Sequence, residues 1–182
     1  MLRKLVIYQI LLILLMSASC DTNDHQDKHT NTTSNKSQKE SLIKVNKYLV
    51  NAENTEIDNY IRRHNLDVVE TGSGLKYQII KHGEGEIAAV GKVVSLIYKV
   101  KLITGDVIYS SDQSGQKHFE IGHGGVESGL EEAILTMRVG DEAIIIIPSH
   151  LAFGLLGDKD KIPRRSTVIY EVELVNINNK IK

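Results

Sequence analysis

The 182-residue chain has no tryptophan, two prolines and one cysteine, and aromatic residues make up 5% of it. A single cysteine excludes any disulfide within the chain, so a fold must rest on its packed core. Neither sign of charge dominates: 22 basic side chains face 23 acidic ones, a formal net charge of −1. With no basic patch and no aromatic–basic interleaving, the composition gives no footing for a nucleic-acid partner. Metal-ligand spacing is also missing. His118, His123 and His150 stand apart without it, and His25 and His29 lie in a wholly polar stretch. No cofactor is implied. The longest apolar run, Leu5 to Met16, is broken by Gln9 and falls short of the roughly 20 residues a membrane span needs.

What is present begins with that run. MLRKLVIYQILLILLMSASC has a basic start, an apolar centre and small residues ending in the only cysteine. It reads as a bacterial lipoprotein signal peptide over residues 1–19, cleaved before Cys20, whose sulfur takes the lipid. Ser17 stands where such signals usually have leucine. The expected product is an exported protein tethered to a membrane, facing the periplasm or the cell surface. Residues 20–40 continue as DTNDHQDKHTNTTSNKSQKE after Cys20; with no apolar side chain they suit a disordered tether. Residues 41–66 change character: Leu42, Val45, Leu49 and Ala52 keep helical spacing, as do Ile57, Tyr60 and Ile61. Asn54 or Thr55 offers a cap between them, so one or two short helices are expected.

Residues 67–182 make the domain. Val68–Glu70 and Leu75–Ile80 flank a Gly72-Ser73-Gly74 turn as a hairpin; Lys92–Ile103 alternates, and Thr104-Gly105-Asp106 turns it into Val107–Ser111. Ala143–Ile147 is a short β-branched run stopped by Pro148, and Thr167–Ile177 closes the domain. Between them Val126, Leu130, Ala133, Ile134 and Met137 mark one face of a helix of about three turns, with Gly140 available as its left-handed cap. One short amphipathic helix needs a sheet to lie on. The expected class is α+β: an antiparallel half-barrel of five or six strands wrapped around one short helix.

Phe119 to Pro148, FEIGHGGVESGLEEAILTMRVGDEAIIIIP, followed by Leu151-Ala152-Phe153-Gly154, resembles the FKBP-type peptidyl-prolyl cis-trans isomerases. That family shares the spine F-x-x-G, G-x-E-E, M-x-x-G-x-x-A, P and A-(Y/F)-G. The likeness extends through VSLIYKVKLITGDVIYSS and KIPRRSTVIYEVELVNI, about the last hundred residues. The lead-in ETGSGLKYQIIKHGEG and the lipoprotein signal are similar to FKBP-type lipoproteins associated with gliding motility.

The resemblance implies the FKBP-like half-barrel, isomerase activity on X–Pro bonds, proline-containing polypeptide clients and a pocket assigned position by position. Tyr98, Phe153 and Tyr170 take the catalytic positions. Ile108, Tyr109, Val126, Glu127, Leu130 and Ile162 take substrate-binding ones. Several depart from the family pattern. Ile108-Tyr109 replaces Phe-Asp, Glu127 an isoleucine, Leu130 the tryptophan floor, Phe153 a tyrosine, Tyr170 a phenylalanine, and Lys117 lies near an aromatic position. Two readings follow: a lipid-anchored isomerase that assists the folding of exported proteins, or a non-catalytic chaperone or binding module on the same scaffold. A monomer or weak dimer is expected for either.

Overall fold

The computed structural model describes residues 30–179; the expected signal peptide and Cys20 lie outside them. Helix α1 spans Thr30–His64 as one uninterrupted element of 35 residues. It therefore occupies half of the stretch expected as tether and replaces the one or two short helices. No glycine or proline interrupts residues 30–64. Thr55 does not cap a second helix, because its Oγ1 donates back to the Asn51 carbonyl at 2.9 Å. By compactness the chain divides at Tyr48–Leu49. Within the first unit, every helix residue from Lys36 to Tyr48 is exposed.

The second unit holds one sheet. Strands β1 (Val69–Glu70), β2 (Lys76–Lys81), β3 (Lys92–Leu102), β4 (Val107–Ser110), β5 (Lys117–Glu120), β6 (Glu142–Ile147) and β7 (Val168–Asn179) pair antiparallel. The order is β1-β2-β6-β7-β3-β4, with β5 pairing the other half of the outer edge of β3. This is the expected α+β architecture with one strand more than expected: β5. Short helix α2 (Ser111–Ser114) follows β4, and α3 (Ser128–Ile134) precedes β6.

Ile145 and Ile147 face the main core with Leu130, Ala133, Ile134 and Met137, whereas Ile146 points into a second cluster with Ile57, Tyr60 and Ile169. A strand covered on both faces has no polar alternation, which explains the run of four isoleucines. The C-terminal half of α1 is one of those covers. Glu53 fixes it, accepting from the Ser149 N–H at 2.7 Å, Ser149 Oγ at 3.0 Å and Thr167 Oγ1 at 2.7 Å.

Helix α3 is shorter than the three turns expected. Met137 N–H bonds the Ile134 carbonyl, and Thr136 Oγ1 returns to Ala133 O at 2.7 Å, so the last turn tightens and stops. Gly140 is left-handed, at φ 92°, but it serves the turn into β6 and donates to Leu174 O. The helix lies close on the sheet because Gly129 has no side chain. A Cβ there would collide with Ile147 Cγ2 and come within 3.1 Å of Leu151 Cβ.

Candidate functional site

Eight of the nine residues singled out for the pocket belong to or pack on one apolar cluster, and Glu127 joins them through its bond from Tyr170. Tyr98 is on β3 and Tyr170 on β7, with Tyr98 facing Val172 and Val100 facing Tyr170 in the register. That diagonal placement brings the two rings to 6.3 Å between centroids, tilted by 35°. Ile108 and Tyr109 come from β4, Val126 and Glu127 lead into α3, and Phe153 and Ile162 come from the long loop between β6 and β7. Tyr170, Leu130 and Ile162 are buried in the cluster, and Tyr98, Ile108, Tyr109, Val126 and Phe153 pack on it half-buried. Leu130 is 0% exposed, so it supports the pocket from beneath without surfacing in it.

One wall is polar. Tyr170 donates its hydroxyl proton to Glu127 Oε1 at 2.6 Å, and Lys117 Nζ donates to the Tyr170 oxygen at 3.3 Å. The same ammonium lies 3.8 Å from Glu127 Oε2, an atom that is buried and has no hydrogen bond among the described residues. Burial, then the Glu127 charge and its hydrogen bond, push the Tyr170 hydroxyl far above the ordinary tyrosine value. The shift favours the protonated hydroxyl, which is the donor form. Lys117 reaches this wall because β5 pairs β3 with Lys117 opposite Leu96, two residues before Tyr98. The short, mostly polar Lys117–Glu120 segment carries no strand pattern in the sequence, so no partner for Lys117 is legible there.

The opposite rim is held by a residue the sequence did not mark. Asp158 accepts from the Tyr109 hydroxyl, and its other oxygen takes the N–H groups of Asp160 at 2.9 Å and Ile162 at 2.8 Å. Lys161 Nζ lies 5.2 Å above the Tyr109 ring. Tyr109, which lacks the acceptor its family position normally supplies, instead ties β4 to the loop that carries Ile162. The hydrogen bond to Asp158, with burial and the nearby carboxylates, raises the Tyr109 hydroxyl well above its ordinary value. Burial raises the Asp158 carboxyl, but the bonds from Tyr109, Asp160, Ile162 and Lys161 outweigh it and leave the group below its usual 3.8. A lowered folded value means that the contribution is complete above the unfolded value and is lost as pH falls through the folded one. As pH falls below about 5, the wild type should lose more stability, measured by urea unfolding, than an Asp158→Asn variant. Equal losses would contradict the assignment.

Among the described residues no group of three or more His, Cys, Asp or Glu side chains is placed to hold a metal ion. His118 shares a 2.8 Å hydrogen bond with Ser95, His150 one of 3.1 Å with Ser73 O, and His123 pairs with Glu120 at 2.8 Å. No described helix is long and apolar enough to cross a membrane.

The family model described as FKBP-type peptidyl-prolyl cis-trans isomerase matches residues 84–175. The chain is 41% identical over 110 residues to the FKBP-type 22 kDa peptidyl-prolyl cis-trans isomerase of Escherichia coli K12, covering 60% of this chain and 53% of that one. It is 35% identical over 103 residues to FK506-binding protein 1 of Dictyostelium discoideum, covering 56% of this chain and 96% of that one. The chain thus spans about half of the bacterial relative and nearly all of the Dictyostelium one. The crystal structure of FkpA from Escherichia coli shares the fold at a TM-score of 0.63 and 24% identity, covering 94% of this chain and 82% of that one.

Proposed function

We propose, because this chain belongs to the FKBP-type peptidyl-prolyl cis-trans isomerase family, that its pocket catalyses rotation about X–Pro bonds in exported polypeptides. Rotation is slow because the partial double bond sets a barrier near ~20 kcal/mol. It needs no nucleophile and no metal, only a site that fits the twisted amide better than either planar form. Twisting removes resonance and charge separation, so an apolar pocket harms the twisted amide less than the planar one. The observation that carries this reading is that Tyr98, Ile108, Tyr109, Val126 and Phe153 pack half-buried on a buried apolar cluster. The Glu127 N–H, at the start of α3, is the donor proposed for the substrate carbonyl, a contact indifferent to the side chain.

Phe153 supplies apolar surface but no hydroxyl. Phe153→Tyr should raise kcat/KM on a proline tetrapeptide about three- to tenfold, the worth of one hydrogen bond. An unchanged or lower value in a protease-free assay would count against the pocket assignment. The second reading, a non-catalytic chaperone or binding module, draws support from Leu130: it lies wholly covered where the family has a large aromatic floor.

The proposal includes location. The basic start, apolar run and single cysteine support a lipoprotein anchored at Cys20, facing the periplasm or cell surface and serving proline-containing clients. The lead-in ETGSGLKYQIIKHGEG and the helix ahead of the domain support a place among the lipoproteins associated with gliding motility. Cys20→Ser should shift the protein to the soluble fraction or leave its precursor uncleaved. Normal processing and unchanged membrane association would overturn the anchor. The proposed state is a monomer or weak dimer; a dimer would draw on Leu42, Ile43, Val45 and Tyr48, all exposed along α1.

A further inference from the structure

Three of the positions at which the sequence departs from the family pattern, Lys117, Glu127 and Tyr170, touch one another and form one wall of the pocket. We propose that this wall selects clients, Lys117 being the residue that favours a carboxylate side chain beside the proline; this rests on the pocket being the peptide site.

The sign of the preference follows from burial. The Glu127 side chain is 5% exposed and that of Lys117 is 26% exposed, so an arriving peptide meets the ammonium and not the carboxylate. A peptide cation could reach Glu127 only by displacing Lys117. The ammonium is held in place from several sides. Glu127 Oε2 lies behind it at 3.8 Å, and the rings of Tyr98 and Tyr170 lie beneath it at 5.3 and 5.5 Å. Leaving would strand a buried carboxylate oxygen that has no hydrogen bond among the described residues. These contacts oppose a swing of Lys117 into solvent.

It nevertheless has donors to offer. An ammonium carries three N–H groups, and among the described residues its one hydrogen bond goes to the Tyr170 oxygen at 3.3 Å. Glu127 is beyond hydrogen-bond distance. A client carboxylate can take the remaining donors while Glu127 keeps its bond from Tyr170. The opposite rim carries charges of both signs around Tyr109. Asp158 and Asp160 accept from the Tyr109 hydroxyl, and Lys161 lies over its ring.

The test compares peptides identical but for one residue, Glu, Leu or Lys, placed immediately before proline in one series and immediately after it in another. Binding to the full chain is measured by calorimetry at low ionic strength, and isomerisation is followed in the same samples. In at least one series the wild type should bind the Glu peptide about tenfold more tightly than the Lys peptide, with Leu between. Added salt should shrink that ratio. Lys117→Arg should keep the order, and Lys117→Met should bring the peptides within about twofold of one another. Because Lys117→Met leaves Glu127 without its cation, Lys117→Met/Glu127→Gln is measured beside it, with the same loss expected. Equal affinities in the wild type, no binding of any peptide, or an order that survives removal of Lys117 would each overturn the proposal. Charge-ordered binding without catalysis would sink the isomerase reading and leave this one standing. Catalysis without charge order would do the reverse.

Discussion

Replacing Ile57 by alanine should destabilise the protein by about 3 kcal/mol, the usual cost of emptying a fully buried aliphatic site. Ile57 is 0% exposed and packs with Tyr60 against Ile146 and Ile169. Those two isoleucines belong to β6 and β7, the central strands of the sheet, so the cavity opens beneath the element every other strand depends on. The internal control is on the same helix. Leu42 is 70% exposed, and Leu42→Ala should change stability by less than about 0.5 kcal/mol. Urea unfolding separates the two. Equal effects would mean that helix α1 is not the cover of this face of the sheet.

Tyr170→Phe should cost about 2–4 kcal/mol although it removes a single oxygen. Ordinarily such a change in a core is mild. Here it takes away the one hydrogen bond that the Glu127 carboxylate accepts among the described residues, and Glu127 Oε2 is already without one. A buried carboxylate left with only an ammonium at 3.8 Å is a poorly compensated charge. In a Glu127→Ile background the same Tyr170→Phe change should cost little, since no acceptor remains to be stranded. The double-mutant cycle should therefore show coupling of about 2 kcal/mol. Additive costs would mean that the hydroxyl and the carboxylate are not partners in solution.

These two predictions fall on opposite sides of what the sequence could reveal. Leu42, Leu49, Ile57 and Ile61 announced a buried helical face by their spacing, of which Ile57 is fully buried while Leu42 is 70% exposed, and the β-branched Ala143–Ile147 run announced a short strand. Both signals are periodic and local. The continuity of α1 was less legible, because Asn54 and Thr55 are good caps in isolation and only the structure shows Thr55 bonding backwards. Strand β5 was invisible for a physical reason. Its sequence, Lys-His-Phe-Glu, is short and mostly polar, and it exists by backbone pairing with β3. With β5 went the partner of Glu127.

The candidate site residues could be named only one at a time. Tyr98, Val126, Ile162 and Tyr170 were assigned by the resemblance, and each departure could be named. What no single position could show is that Lys117, Glu127 and Tyr170 compensate one another, or that Tyr109 finds Asp158 across 49 residues. Asp158 lies in a segment whose sequence gives no periodic signal, and the helical period around Glu53 marks only apolar positions; the roles of both are set by what the chain brings beside them.

The isomerase reading stands most directly on the exchange rate of a proline tetrapeptide measured by nuclear magnetic resonance with catalytic amounts of the protein. The pocket described here should raise the cis–trans exchange rate above the uncatalysed one in proportion to protein concentration. An exchange rate indistinguishable from that of the peptide alone, at protein concentrations where the peptide is bound, would contradict it.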